Sequence, residues 1–165
     1  MRSHARLLGH PIHQMLVPIP LGMFFVGVAL DIAQRFLGAS WIPTVSFWDL
    51  SIGVATALFA AVFGVVDLIA IPDNTRAKRV GALHAIGNVI VVSCVAVALL
   101  IRYEKVLAPA PTFALVLEVA ALLLASVTGW LGGELVDRLG VGVEDNANLD
   151  APSSLSAIAR RERTA

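Results

Sequence analysis

The chain has 165 residues, 58% of them hydrophobic and 15% charged, and it carries no net charge at pH 7 with histidine neutral. Water-soluble domains sit near ~45–50% apolar and ~25% charged, so the excess points to lipid as the solvent. Zero net charge argues against a nucleic-acid partner, and a single cysteine, Cys94, excludes a disulfide framework or a cysteine-rich zinc site within the chain.

The first apolar stretch is broken by His10, His13, Pro18 and Pro20 and then runs too long for the apolar core of a cleavable signal peptide. Four long apolar runs follow one another, at about 15–37, 48–71, 80–101 and 112–135. Each meets the ~20 residues that a helix needs to cross ~30 Å of hydrocarbon. They lack the period-2 alternation of barrel strands, so they predict spanning helices. Helix breakers fall between them: Gly38 and Pro43, then Pro72-Asp73-Asn74, then Pro109 and Pro111, then Gly140 and Gly142. The predicted fold is all-α, an integral membrane four-helix bundle over residues 1–143, with a polar, disordered cytoplasmic tail over 144–165.

Lysine and arginine near span ends orient the bundle. With the N-terminus inside, the inner segments hold nine such residues (Arg2, Arg6, Arg76, Lys78, Arg79, Arg138, Arg160, Arg161 and Arg163) against three outside (Arg35, Arg102 and Lys105). Both termini are therefore expected in the cytoplasm of a bacterial cell, with the bundle in its inner membrane. Small residues at four-residue spacing predict close helix packing. They are Gly53, Ala57 and Ala61, with Ala60 and Gly64, in the second helix, and Ala121, Ala125, Gly129 and Gly133 in the fourth.

Polar groups at a span edge are costly and invite a functional question. The alternation of four spans brings His10, His13, Asp67, His84 and Glu134 to one membrane face, with Asn88 one turn from His84. Imidazole and carboxylate together suit Fe, Mn or Zn held between helices of a bundle. Two facing imidazoles suit the axial positions of a haem. The set is equally what a structural cluster of helix caps and ion pairs would use. A histidine opens each helix pair and an acid closes it, 54 residues apart for His13 and Asp67 and 50 for His84 and Glu134, a weak sign of an internal repeat. On the other face, Asp31 and Arg35 are spaced to pair on one helix, Asp49, Arg102, Tyr103 and Lys105 read as interfacial groups, and Glu118 needs a donor inside the bundle. Trp41, Trp48 and Trp130 fall near span ends, as an aromatic belt requires.

The opening Gly9-His10-Pro11-Ile12-His13-Gln14-Met15-Leu16-Val17-Pro18-Ile19-Pro20-Leu21-Gly22 resembles that of a bacterial family of predicted four-helix membrane proteins classed as a domain of unknown function. The segments Gly81-x-x-His84-x-x-x-Asn88 and Thr128-Gly129-Trp130-Leu131-Gly132-Gly133-Glu134-Leu135-Val136, then Gly140-Val141-Gly142-Val143, resemble its later motifs, and Asp67 after Gly64 fits its second-helix acid. Gln14 departs from the proline usual there. Some members are fused to Rieske iron–sulfur domains, so the resemblance implies membrane electron transfer with a redox partner protein.

The leading expectation is a membrane protein that binds haem or a transition metal at its cytoplasmic face. His13 and His84 are the first ligands, His10, Asp67 and Glu134 are further ligands, and Asn88 orients one of them. The alternative is a non-catalytic scaffold subunit, and a transporter ranks last because the third span has no midplane charge or proline. A second copy of the chain is a further candidate partner.

Overall fold

The computed structural model describes residues 1–156. A two-residue ladder pairs β1 (Arg6–Leu7) with β2 (His10–Pro11) across a tight turn at Leu8-Gly9, where both residues take positive φ. One helical turn, α1 (Ile12–Leu16), leads into α2 (Pro18–Leu37). Then come α3 (Ile42–Ala70), α4 (Arg76–Arg102) and α5 (Thr112–Gly133). A 3₁₀ turn at Tyr103–Lys105 extends α4, and a π-helical turn at Glu134–Arg138 extends α5.

Among the described residues, four helical stretches are long and apolar enough to cross a membrane: Ile12–Leu37, Ile42–Ala70, Arg76–Lys105 and Thr112–Arg138. The chain is an all-α membrane bundle. Alternating spans put residues 1–11, the α3–α4 turn and residues 139–156 at one end, hereafter the terminal end; the other is the distal end.

The helix boundaries follow from local chemistry. Gly38 closes α2 in the left-handed conformation, at φ 61°, which glycine adopts without a Cβ penalty. Pro43 does not separate helices: it sits in the first turn of α3, which starts at Ile42 instead of near Trp48. Proline is tolerated there because the first amides of a helix have no intrahelical acceptor. Thr75 caps α4 by accepting from the Lys78 amide at 3.1 Å. The Lys78 ammonium reaches back and donates to the carbonyls of Leu68, Ile69 and Ile71 at 3.0, 3.3 and 3.1 Å. These carbonyls lie at the C-terminal end of α3, where acceptors lack a full set of helical partners, and a cation there also suits the helix dipole.

The chain forms two helix hairpins, α2 with α3 and α4 with α5, which then pack on each other. Phe24, Val28, Leu50, Val91, Val95, Ala121 and Ala125 fill the centre. The outward face is also apolar. Phe25, Phe59, Val62, Leu83, Ile86, Val116 and Leu123 are exposed, which is stable only against hydrocarbon. Trp41, Trp48 and Trp130 are exposed as well, as expected for ring systems in the headgroup zone.

The packing stripes divide. In α3 the expectation holds for Gly53: a Cβ there would lie 2.8 Å from the Phe24 ring. Gly27 of α2 is as tight, with Leu50 Cγ 2.6 Å from its ideal Cβ. In α5, Ala121 and Ala125 are buried, but a Cβ on Gly129 or Gly133 would meet nothing within 4 Å. At this level α5 meets α4 through Thr128 and Gly132 instead, so Gly129 and Gly133 are turned away from the neighbours and the expected stripe stops at Ala125. Gly53→Leu should cost about 1–3 kcal/mol or more, because the new side chain must push α2 away. Gly129→Leu should keep the parent's stability to within ~0.5 kcal/mol. Melting of both variants in detergent checks this, and a Gly53→Leu protein as stable as its parent would refute the close contact.

The tail begins against the N-terminal segment. Glu144 pairs with Arg2 at 2.9 Å and also with Arg6, so the chain turns back across the terminal end. The part of the expected tail from 157 on, with Arg160, Arg161 and Arg163, lies outside the described residues.

Candidate functional site

Two histidines occupy matching positions in the two hairpins. His13, on α1, lies across α3. Its Nδ1 donates to the Ala60 carbonyl at 2.9 Å, and its ring covers Gly64, whose ideal Cβ would be 2.9 Å from the imidazole. His84, on α4, lies across α5. Its Nδ1 donates to the Thr128 carbonyl at 2.8 Å, and its ring covers Gly132, whose ideal Cβ would be 3.2 Å away. In each case a carbonyl receives the ring and a glycine four residues later makes room for it. A side chain at either glycine would close the seat.

A carbonyl oxygen can only accept, so both rings carry the proton on Nδ1. In the neutral imidazole that leaves Nε2 as a lone-pair donor in both. The ring centroids are 6.4 Å apart with perpendicular planes. Asn88 fixes His84 further: its Nδ2 lies 3.1 Å from His84 Nε2 and 2.9 Å from the His84 carbonyl. Thr128 Oγ1 donates to Asn88 Oδ1 at 3.0 Å and so orients the amide. His13 Nε2 has no hydrogen-bond partner among the described residues.

The other residues expected at this face do not join the pair. Asp67 accepts from Ser3 Oγ at 2.7 and 2.9 Å and from the amides of His4 and Ala5 at 2.9 and 3.4 Å. It fastens the segment before β1. Glu134 pairs with Arg76. His10, exposed on β2, meets Ser154 Oγ at 3.3 Å. No group of three or more His, Cys, Asp or Glu side chains among the described residues is placed to hold one metal ion. A five-ligand set of His10, His13, Asp67, His84 and Glu134 is therefore not assembled in this structure. The acids went to nearer partners: Ser3 and its neighbours lie over the end of α3, and Arg76 opens the helix beside α5.

The distal end holds a second polar group, and it is better buried. Arg102 of α4 donates to Asp31 of α2, with Nη2 3.2 Å from Oδ1 and Nη1 on Oδ2, and to Glu118 of α5 at 3.0 Å. Ser46 of α3 donates to Asp31. Glu118 thus finds the donor its position demanded. Asp31 does not pair with Arg35, whose guanidinium donates to the Ala110 carbonyl instead. Arg102 is no interfacial group, being 1% exposed.

These contacts reveal the repeat. His13 and His84 stand 71 positions apart and so do Asp31 and Arg102, while the seats Ala60/Gly64 and Thr128/Gly132 stand 68 apart. Both matched pairs, His13 of α1 with His84 of α4 and Asp31 of α2 with Arg102 of α4, are in contact, ring against ring at one end and acid against base at the other. These matched contacts are what an approximate two-fold along the bundle would produce. The pairing of Asp67 with Glu134, on which the sequence echo rested, is not part of it. By sequence position the residue matching Asp67 is Leu135. A carbonyl seat leaves no side-chain signature, so Ala60 and Thr128 were invisible to a search for ligating residues. The glycine that follows each seat was the available sign.

No curated protein and no solved structure matches the chain. Residues 9–145 match a family described as predicted membrane protein DUF2231. That stretch contains the four spans, both histidine seats and the distal charge network. The chain belongs to this family of membrane proteins.

Proposed function

We propose that the protein holds a redox-active transition metal, as haem iron or as an ion, between the Nε2 atoms of His13 and His84. It would serve electron transfer at the cytoplasmic end of a bundle in the bacterial inner membrane. The observation behind this reading is the matched orientation of the two imidazoles. Each gives its Nδ1 proton to a helix carbonyl, with the rings 6.4 Å apart. A carbonyl on Nδ1 is the arrangement that fixes a metal-ligating imidazole and raises the basicity of its Nε2. Imidazole suits iron, copper and zinc. A metal on the two-fold would see two equivalent ligands, one from each hairpin, with its other positions filled by a porphyrin or by water. Asn88, braced by Thr128, would hold His84 in place. A bound iron or copper supplies a one-electron couple. The excess of basic residues at the terminal end supports a cytoplasmic orientation, and a partner redox protein would dock there.

One observation favours a different reading. Asn88 Nδ2 already occupies His84 Nε2 at 3.1 Å, as it would if the histidines only clamped the hairpins of a scaffold subunit. Protein purified from cell membranes in detergent separates the two. Bound haem gives a Soret band, and a bound ion gives stoichiometric metal without one. Either signal should vanish in His13→Ala and in His84→Ala. Colourless, metal-free protein would refute the proposal and leave the clamp.

A further inference from the structure

The charge network at the distal end does not balance. Asp31, Ser46, Arg102 and Glu118 come from four different helices, and each is at most 1% exposed. One guanidinium faces two carboxylates, so with both acids ionised the cluster carries a net negative charge. Nearby groups do not correct this. Arg35 of α2 is turned to the Ala110 carbonyl. Asp49 of α3 adds another acid, and its buried Oδ2 has no partner. On the turn after α4, Glu104 and Lys105 are exposed.

The two carboxylates are not treated alike. Asp31 receives both terminal nitrogens of Arg102 and the hydroxyl of Ser46. That is the forked geometry of an ionised pair with an added donor. Glu118 receives one bond, on Oε1 at 3.0 Å. Its Oε2 is buried and accepts no hydrogen bond. An anion with an unpaired oxygen, away from water and from any second cation, is the least stable way to place a carboxyl in a bundle.

We propose that Glu118 carries a proton in the folded protein at neutral pH, which makes the four-helix cluster a proton-binding site built from an Arg102–Asp31 ion pair and a neutral carboxylic acid. The proton comes from water and resides on the Glu118 carboxyl, which donates nothing to Arg102 and still accepts from it through Oε1. The site is independent of the histidine pair, which lies 18 residues away along α4, or roughly 27 Å at 1.5 Å per residue.

Infrared spectroscopy of the detergent-purified protein tests this, because the carbonyl stretch of a protonated carboxyl is resolved from ionised carboxylates. The parent at pH 7 should show a protonated-carboxyl band that shifts in D₂O. Glu118→Gln, which keeps the Arg102 bond, should lose it. Asp31→Asn should lose it as well, because Glu118 then becomes the only counter-ion of Arg102 and ionises. A purely structural cluster predicts no band in any of the three proteins. No band in the parent overturns the proposal, as does a band that survives Glu118→Gln or disappears only in Asp49→Asn.

Discussion

Arg102→Met should be the most damaging single substitution in the bundle. It leaves Asp31 and Glu118 in a cluster with no cation, among side chains that are 1% exposed or less. Removing one partner of a buried ion pair typically costs about 3–5 kcal/mol, because the remaining charge is stranded. That is a large part of the ~5–15 kcal/mol that holds a typical domain folded. The expected result is a sharp fall in the yield of folded protein and in melting temperature in detergent. Replacing the whole set is expected to behave differently. Asp31→Leu, Arg102→Met and Glu118→Leu together remove every charge and leave apolar groups of similar size. The triple variant should recover stability close to the parent's, since apolar replacement of a buried ionic set is often neutral or favourable. A single variant that melts like the parent would mean that the network contributes little, and a triple variant as unstable as the single would mean that its loss is not a matter of stranded charge.

Asp67→Ala should have the second largest effect, and a local one. The carboxylate satisfies the Ser3 hydroxyl and the amides of His4 and Ala5, with Ser3 only 6% exposed. Without it the His4 and Ala5 amides lose their acceptor and the Ser3 hydroxyl keeps only the Ala5 carbonyl, at 3.0 Å; a donor left buried and unpaired costs ~1–3 kcal/mol. The segment before β1 should then open, while the spans, whose packing on one another does not use these bonds, keep their stability. Hydrogen exchange reads this directly. The His4 and Ala5 amides should exchange at least about tenfold faster, since 1.4 kcal/mol corresponds to a factor of ten, and α4 amides should not change. Unchanged exchange at His4 and Ala5 would show that the strap is held by other contacts, such as Arg2 and Arg6 on Glu144.

The spans were legible because the requirement is compositional. Val80–Ile101 contains no charge, and no soluble fold asks for that. The terminal-face residues were legible only as a group. Alternating spans place Asp67, His84 and Glu134 on one side whatever they touch, and sequence carries no sign that Asp67 would turn to Ser3 or Glu134 to Arg76. Arg102 was misread for a physical reason. A base at the last residue of an apolar run usually extends to the headgroups, but α4 continues into a 3₁₀ turn, and this places Arg102 inside the bundle. Gly129 and Gly133 fit a spacing rule, and what the rule lacks is the rotation of α5 about its own axis.

The acid–base pair on the two-fold also bears on ancestry and assembly. Two copies of the first hairpin alone would set Asp31 against Asp31, and two copies of the second would set Arg102 against Arg102. Each self-pairing is repulsive, whereas the mixed pairing makes the forked ion pair. A bundle descended from a duplicated hairpin would need its halves to diverge at this position before they could prefer each other. With both halves present, the like charges at the axis disfavour pairing of two identical hairpins from neighbouring molecules, and leave each hairpin to pair with one of the other kind.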